Sequence, residues 1–440
     1  MAGVMRNVLG LAVPFVAISL TVARYAIGEQ TRGGVQMVQG YMVYRQDDVT
    51  VARGRVDGNV LIQDTDAIVV LQKTLDVLER NRGGELFIES GVYEINKSAL
   101  VPGLVSVRGS GRSTVLKLGN ENAEGVILIA KGKEGVVLSD FSCQGIASHD
   151  QSAGIILDSC GDCEIRNVYT RDFSGYGIWV RNGSFMNKLV NNTTSGNDQA
   201  GTCLMDNAEG GRGGNYVPNL IIGCTSIGED GNAFELNLSQ CTNIVGCQAY
   251  QPKGYGFYVR RQSNSTVLAG NRCFQGAKNG IIADCSHEIN VTGNNICWNW
   301  GHGIELRGVT WGVISGNEFI DNGGRKEPRK YGIYVHTDTK CVQISGNAIF
   351  NWEGHQPMIA GIYESEDCRD NQIMDNVINY YTDKSVFSAG KNTKVANNMG
   401  IAEPYVHPSF EPFQPESKRQ KLGLPFTHDT VQKFLDLTKQ

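Results

Sequence analysis

The sequence predicts an all-β chain folded as a right-handed parallel β-helix, a solenoid of about ten or more coils. An amino-terminal helix is expected to cap it, and a proline-rich tail to follow it. Three observations carry this prediction. Short apolar segments, each opened by a glycine or another small residue, recur from residue 154 with a period near 23. A second landmark, asparagine or cysteine, recurs with the same period. Glycine supplies 54 of the 440 residues, against roughly 7% in an average chain, and 29 of the 35 asparagines lie between residues 154 and 398.

The apolar segments open at Gly154, Gly177, Thr202, Ala233, Gly256, Gly280, Gly303, Gly332, Gly361 and Ser385. The second landmark falls at Asn167, Asn192, Cys224, Cys247, Asn271, Asn294, Asn317, Asn347, Asn376 and Asn397. Fixed periods of this size indicate a solenoid. Within each segment polarity alternates, as in Gly177-Ile-Trp-Val-Arg181 and Gly303-Ile-Glu-Leu-Arg307, which is the period of a half-buried strand. Ile178, Val180, Ile304 and Leu306 then point inward. The asparagine column is read as structural: amides stacked at a turn bond along the helix axis and tolerate left-handed backbone.

The longer repeats carry Glu209–Asn219, Gly323–Lys330 and Trp352–Met358, and three prolines (Pro218, Pro328, Pro357) fall in these insertions. Proline is excluded from central strands, so these segments are expected as loops. Thr65–Asn81 places Ile68, Leu71, Leu75 and Leu78 on one helical face, with Gly83-Gly84 as its stop, and is expected to cover the open end of the core. Five of the eleven prolines lie between Pro404 and Pro425, ahead of a short expected helix at about Asp429–Thr438. The chain is thus divided into a signal-like or anchor segment (1–28), a cap with the first coils (29–125), the β-helix (126–400) and a carboxy-terminal tail (401–440).

A net charge of −5 with no basic stripe argues against a nucleic-acid partner. Twelve cysteines are read mainly as small buried apolar residues. Cys160 and Cys163 have metal-site spacing, but no second pair completes a zinc site. Val8–Val22 is a 15-residue apolar run behind Arg6, short for a membrane span and closer to a secretory signal. The expected location is secreted or cell-surface.

Three stretches carry a resemblance: Asp64-Thr-Asp-Ala-Ile, Gly83-Gly-Glu-Leu-Phe-Ile-Glu-Ser-Gly-Val-Tyr, and Val107-Arg-Gly-Ser-Gly-Arg-Ser-Thr-Val-Leu. Together they resemble the opening of the pectate-lyase-like superfamily of right-handed parallel β-helix proteins, over roughly residues 60–400. That resemblance implies the fold and a cleft on the sheet formed by the repeated opening strands. It leaves function open among lyases, glycoside hydrolases, uronate epimerases and non-catalytic adhesins such as phage tailspikes. A homotrimer is compatible with it. Calcium, used by many pectate lyases, stays open as a cofactor, although no tight aspartate cluster is visible. The Asp-Pro-His-Glu run of mannuronan epimerases is absent.

The outward positions of the opening strands form the candidate site. One column reads Ile156, Trp179, Leu204, Glu235, Tyr258, Ile282, Glu305, Tyr334, Tyr363 and Phe387; the next reads Asp158, Arg181, Asp206, Asn237, Arg260, Asp284, Arg307, His336, Ser365 and Ala389. Aromatic rings beside carboxylates and guanidiniums suit a carbohydrate polymer or oligosaccharide. Asp206 with Glu235 is the favoured acid pair for hydrolysis, with Asp230 able to join it and Arg181 and Arg260 flanking. Asp284 with Glu305 is the second pair. Such pairs, one coil and two residues apart, are expected ~8 Å apart, within the range of inverting glycosidases. His336 beside Arg307 is the best base for uronate β-elimination. The alternating charges also fit a structural ladder across strands, and a non-catalytic adhesin or structural protein is the alternative to an enzyme.

Overall fold

The computed structural model describes residues 40–119, 124–130, 132–146, 152–207, 218–323, 331–352 and 357–403. The apolar run Val8–Val22, most of the three insertions and the expected helix near residue 429 lie outside these. The described chain is a right-handed parallel β-helix, as the repeat predicts. Each coil contributes one strand to each of three sheets; Glu164–Arg166, Tyr169–Arg171 and Tyr176–Arg181 are one such set. Among the described residues the first sheet has 16 strands, the second 13 and the third 12.

Helix α1 (Ala67–Arg80) is capped by Asp66, whose carboxylate accepts from the Ile68 amide. It buries Ile68, Leu71, Leu75 and Leu78, the face expected from the spacing, against the first strands of the solenoid. It ends where the Gly83 amide donates to Leu78 O; a Cβ at Gly83 would lie 2.6 Å from the Leu104 carbonyl oxygen. Before α1, Gly40–Gln46, Val49–Gly54 and Val60–Asp64 form an antiparallel extension of the first sheet, which the 23-residue period does not reveal.

Packing fixes the period. Ile155, Ile178, Phe234, Phe257, Ile281, Ile304, Ile333 and Ile362 stack inward with at most 1% exposure. The opening glycine recurs because the next coil's backbone passes over it: a Cβ at Gly177 would sit 2.6 Å from Gly201 O. This identifies Gly201, not Thr202, as the opening residue of its coil, and Thr202 as the inward partner of Ile178.

The asparagine column resolves into two adjacent columns. Asn191, Gly223, Gly246, Gly270, Gly293 and Gly316 have φ between 54° and 65°, the left-handed region that glycine and asparagine tolerate. The following residue is turned into the core as a ladder rung. The amide N–H groups of Asn271, Asn294, Asn317 and Asn347 donate to the Oδ1 of the next asparagine at 2.8–3.0 Å, and their Nδ2 groups bond inward carbonyls and the next rung. Cys224 and Cys247 occupy two rungs. Asn167 and Asn397 are corrected by one residue: they hold the left-handed position (φ 53° and 55°), and the rungs are Val168 and Asn398.

A second ladder lines the turn between the second and third sheets, and one of its rungs is a fully buried acid, Glu229. Thr194 and Ser226 hydroxyls meet its Oε1 at 2.7 and 2.9 Å, and the Asn197 amide N–H donates to Oε2 at 2.6 Å. Burial pushes this carboxyl up to about 7, against the opposing pull of those donors. The folded chain therefore holds a proton that the unfolded chain has released above pH ~4.5.

Asn317→Ala removes a rung and strands its neighbours' buried groups, and should cost ~2–3 kcal/mol in chemical denaturation; Asn317→Cys, the residue used at two other rungs, should cost less. Raising the pH from about 4.5 to 7 should lower stability by about 3 kcal/mol through Glu229. The same titration of denaturation midpoints in Glu229→Gln should lose that slope.

Candidate functional site

The third sheet carries the site because its strands are the long ones and its register is continuous. Trp179, Cys203, Glu235, Tyr258, Ile282, Glu305, Tyr334, Tyr363 and Phe387 are paired partners on successive coils. The neighbouring outward column is Asp158, Arg181, Met205, Asn237, Arg260, Asp284, Arg307 and His336.

This register corrects the favoured acid pair. Leu204 is an inward residue paired with Val180 and Leu236, so the column positions belong to Cys203 and Met205. Asp206 lies one residue beyond the strand, at φ 54° in the turn, and is not beside Glu235 in the register. The error is one residue: both Gly201 and Thr202 are small, and only the backbone approach singles out the glycine. Asp230 sits in the turn before its strand, paired with Lys253 at 2.6 Å. Trp179, Arg181, Glu235, Tyr258, Arg260, Asp284, Glu305, Arg307, Tyr334 and His336 do share the outer face.

A further outward column, three residues earlier, was not visible in strict alternation. It holds Tyr176, Asn232, Tyr255, Asn279, His302 and Tyr331. Its rings meet those of the main column at 4.8 Å for Tyr176 and Trp179, 4.9 Å for Tyr255 and Tyr258, and 5.2 Å for Tyr331 and Tyr334. The glycine between them brings i and i+3 to one face; the recurring Tyr-Gly-x-Tyr spacing at 255 and 331 was the available signal.

Two carboxylates are set deep in this face. Glu235 is 6% exposed; its Oε1 lies 2.7 Å from Arg260 and its Oε2 accepts from Asn232 at 2.8 Å. Nearby, Asn237 Oδ1, Arg260 Nε and Trp179 Nε1 are buried without a hydrogen-bond partner among the described residues. Glu305 is half-buried. Its Oε1 lies 3.0 Å from His336 Nε2 and its Oε2 accepts from Asn279 at 2.5 Å, while Asn279 Oδ1 receives the His302 amide N–H. Thr337 Oγ1 meets His336 Nδ1 at 2.8 Å, and the imidazole stacks on Tyr334 at 4.2 Å. Burial raises the Glu305 carboxyl, but the bonds from His336 and Asn279 outweigh it and hold it below its ordinary range. Asp284 behaves alike: burial opposes ionisation and the Arg307 guanidinium, gripping both oxygens, overcomes it.

Several of the aromatic rings carry a neighbour on one face. Arg181 covers Trp179 at 4.3 Å and Arg260 covers Tyr258 at 5.0 Å. Tyr331, Tyr363 and Phe387 stack on one another at 4.6 and 4.9 Å. Asp206→Ala should leave glycan binding and any turnover unchanged in side-by-side assays, whereas Arg307→Met should raise the Asp284 carboxyl toward its ordinary value in a carbon-13 pH titration.

Two matches of one family profile, described as "Periplasmic copper-binding protein (NosD)", cover residues 105–272 and 215–355, together more than half of the chain. The A-module of mannuronan C-5 epimerase AlgE4 from Azotobacter vinelandii is similar in structure at 16% identity and a TM-score of 0.62, over 77% of this chain and 96% of that one. The pre-mature bacteriophage phi29 gene product 12 is similar at 13% and 0.61, over 74% of this chain and 50% of that one. Tailspike protein 3 of bacteriophage CBA120 is similar at 13% and 0.56, over 83% and 66%. These likenesses establish the fold. No curated protein sequence matches the chain. The described donors do not fit copper: among the described residues no three His, Cys, Asp or Glu side chains converge as a metal site, Cys224 and Cys247 are buried rungs of the inner ladder, and both His336 nitrogens already face oxygen partners. By its sequence match and its coiled architecture, the chain belongs to the NosD family of β-helix proteins.

Proposed function

We propose that this chain binds an extended carbohydrate along the outer face of its third sheet, centred on Glu305. The observation that carries the reading is the convergence there of an ionised carboxylate, an imidazole and an amide, lined by the edges of Tyr255, Tyr258, Tyr331 and Tyr334. Such a surface matches hydroxyl groups, which donate and accept at once, and its length along the stacked coils suits a chain rather than a single sugar. The A-module acting on mannuronan and the tailspike share the fold and make a carbohydrate ligand a natural expectation for it. A location outside the cytoplasm, periplasmic or extracellular, belongs to the same proposal and accords with the family description. Among the described residues no helix is long and apolar enough to cross a membrane.

A second reading, glycoside hydrolysis at the same place, is favoured by one observation. Asp284 and Glu305 lie on adjacent coils, two residues apart along the strand, hence ~8 Å apart and within the inverting range. In that reading one carboxylate is the base for water and the other, reprotonated when a ligand binds, is the acid that protonates the leaving oxygen.

A panel of neutral, acidic and amino-sugar polymers, assayed with the purified chain for binding and for new reducing ends, separates the two. Glu305→Gln should abolish any product formation while melting within a degree or two of the parent. Product formation that survives the substitution would remove Glu305 from the chemistry, and binding without product would leave the first reading alone.

A further inference from the structure

The inner ladder changes chemistry at two successive rungs. Between Asn192 and Asn271 the rung residues are Cys224 and Cys247, each placed immediately before the paired strand residues Thr225 and Gln248. From Asn271 onward each rung amide donates to an amide oxygen on the next coil. Here the Asn192 and Cys224 amides meet sulfur instead, and the Asn192 Nδ2 group reaches Cys224 Sγ only at 3.9 Å. Sulfur is a weak acceptor, so two register ties in a row are weak. They fall directly after the longest insertion, where 32 residues separate one rung from the next.

The two sulfurs occupy equivalent places on adjacent coils. Cys224 Sγ lies 3.4 Å from Leu189 O and Cys247 Sγ lies 3.7 Å from Ile221 O, the carbonyls of paired residues. The thiols hydrogen-bond one another. Coils stack at ~4.8 Å, inside the Cα separation of about 4.4–6.8 Å that a disulfide spans.

We propose that Cys224 and Cys247 are the site of a disulfide that ties two successive coils where the amide ladder is interrupted. The oxidant is a disulfide of the glutathione or protein type. The thiolate of one cysteine attacks it, forming a mixed disulfide and releasing one thiolate. The second cysteine's thiolate then attacks the bound sulfur, closing the Cys224–Cys247 bond and releasing the other. Two protons and two electrons pass from the cysteines to the oxidant's sulfurs. Both cysteines are at most 2% exposed in the folded chain, so the exchange precedes closure of the coil. The tie is independent of any ligand on the third sheet.

The test folds the full chain from denaturant with either glutathione disulfide or a reductant. Free thiols are then blocked in denaturant, and the chain is cut after lysine, arginine and glutamate, which separates Cys224 from Cys247 through Glu229 and Glu235. Mass spectrometry of the chain folded with glutathione disulfide should find the two peptides joined, and reduction should part them. Cys241 shares the second peptide, so the link should persist in Cys241→Ser and vanish in Cys247→Asn, which restores the ladder's own residue. Parent folded in reductant should melt about 3–5 °C below the oxidised parent, a difference that Cys247→Asn should lose. Recovery of Cys224 and Cys247 as separately blocked thiols after folding with glutathione disulfide overturns the proposal, as does a link from Cys224 to Cys241. Circular dichroism checks folding; if Cys247→Asn does not fold, the maps of the parent and of Cys241→Ser decide.

Discussion

Everything in this chain depends on parallel register, one coil laid on the next at ~4.8 Å. A strand alternates inside and outside, so a slip of one residue exchanges the two. Two devices prevent it. The opening glycines admit the next coil's carbonyl where no Cβ fits, and the asparagine rungs tie each turn to the following one by both backbone and side-chain bonds. These are interior bonds, shielded from water, and a missing rung leaves donors and acceptors that no solvent can reach. The exterior is thereby free to vary.

The outer face of the third sheet handles charge differently from the interior. Inside, Glu229 is neutralised by a raised proton affinity. Outside, Asp284 and Glu305 stay ionised because partners outweigh the burial. The difference is one of partners: Glu229 meets hydroxyl and amide donors, whereas the surface column places arginine one coil away from aspartate. These pairs act as cross-strand ties. Around Glu305 the partners are instead an imidazole and an amide.

Much of this was legible in the sequence. The period, the inward Ile178, Val180, Ile304 and Leu306, the capping helix face and the outward placement of Trp179, Glu235, Tyr258, Glu305 and Tyr334 follow from alternation and small-residue spacing. Asp206 was misplaced because Gly201-Thr202 offers two small residues in succession, and only the close approach of another coil chooses between them. Tyr331 and His302 were missed because alternation counts in twos, while a glycine in the strand carries i and i+3 to one face. Glu229 gives no local sign of burial, since its acidity is accommodated by Thr194 and Asn197 from the preceding coil. Nor could composition show that the arginines are spent on the chain's own acids, because pairing across coils is a property of register.

The most direct test of this account is a crystal structure of the chain with a bound oligosaccharide. The account predicts sugar units along the outer face of the third sheet, with hydroxyl groups in contact with Glu305 and with the phenols of Tyr334 and Tyr363, and with Arg307 still joined to Asp284. Sugar units bound on the first or second sheet, for example beside Phe274 and Trp298, or an Arg307 released from Asp284 to hold the ligand, would contradict it.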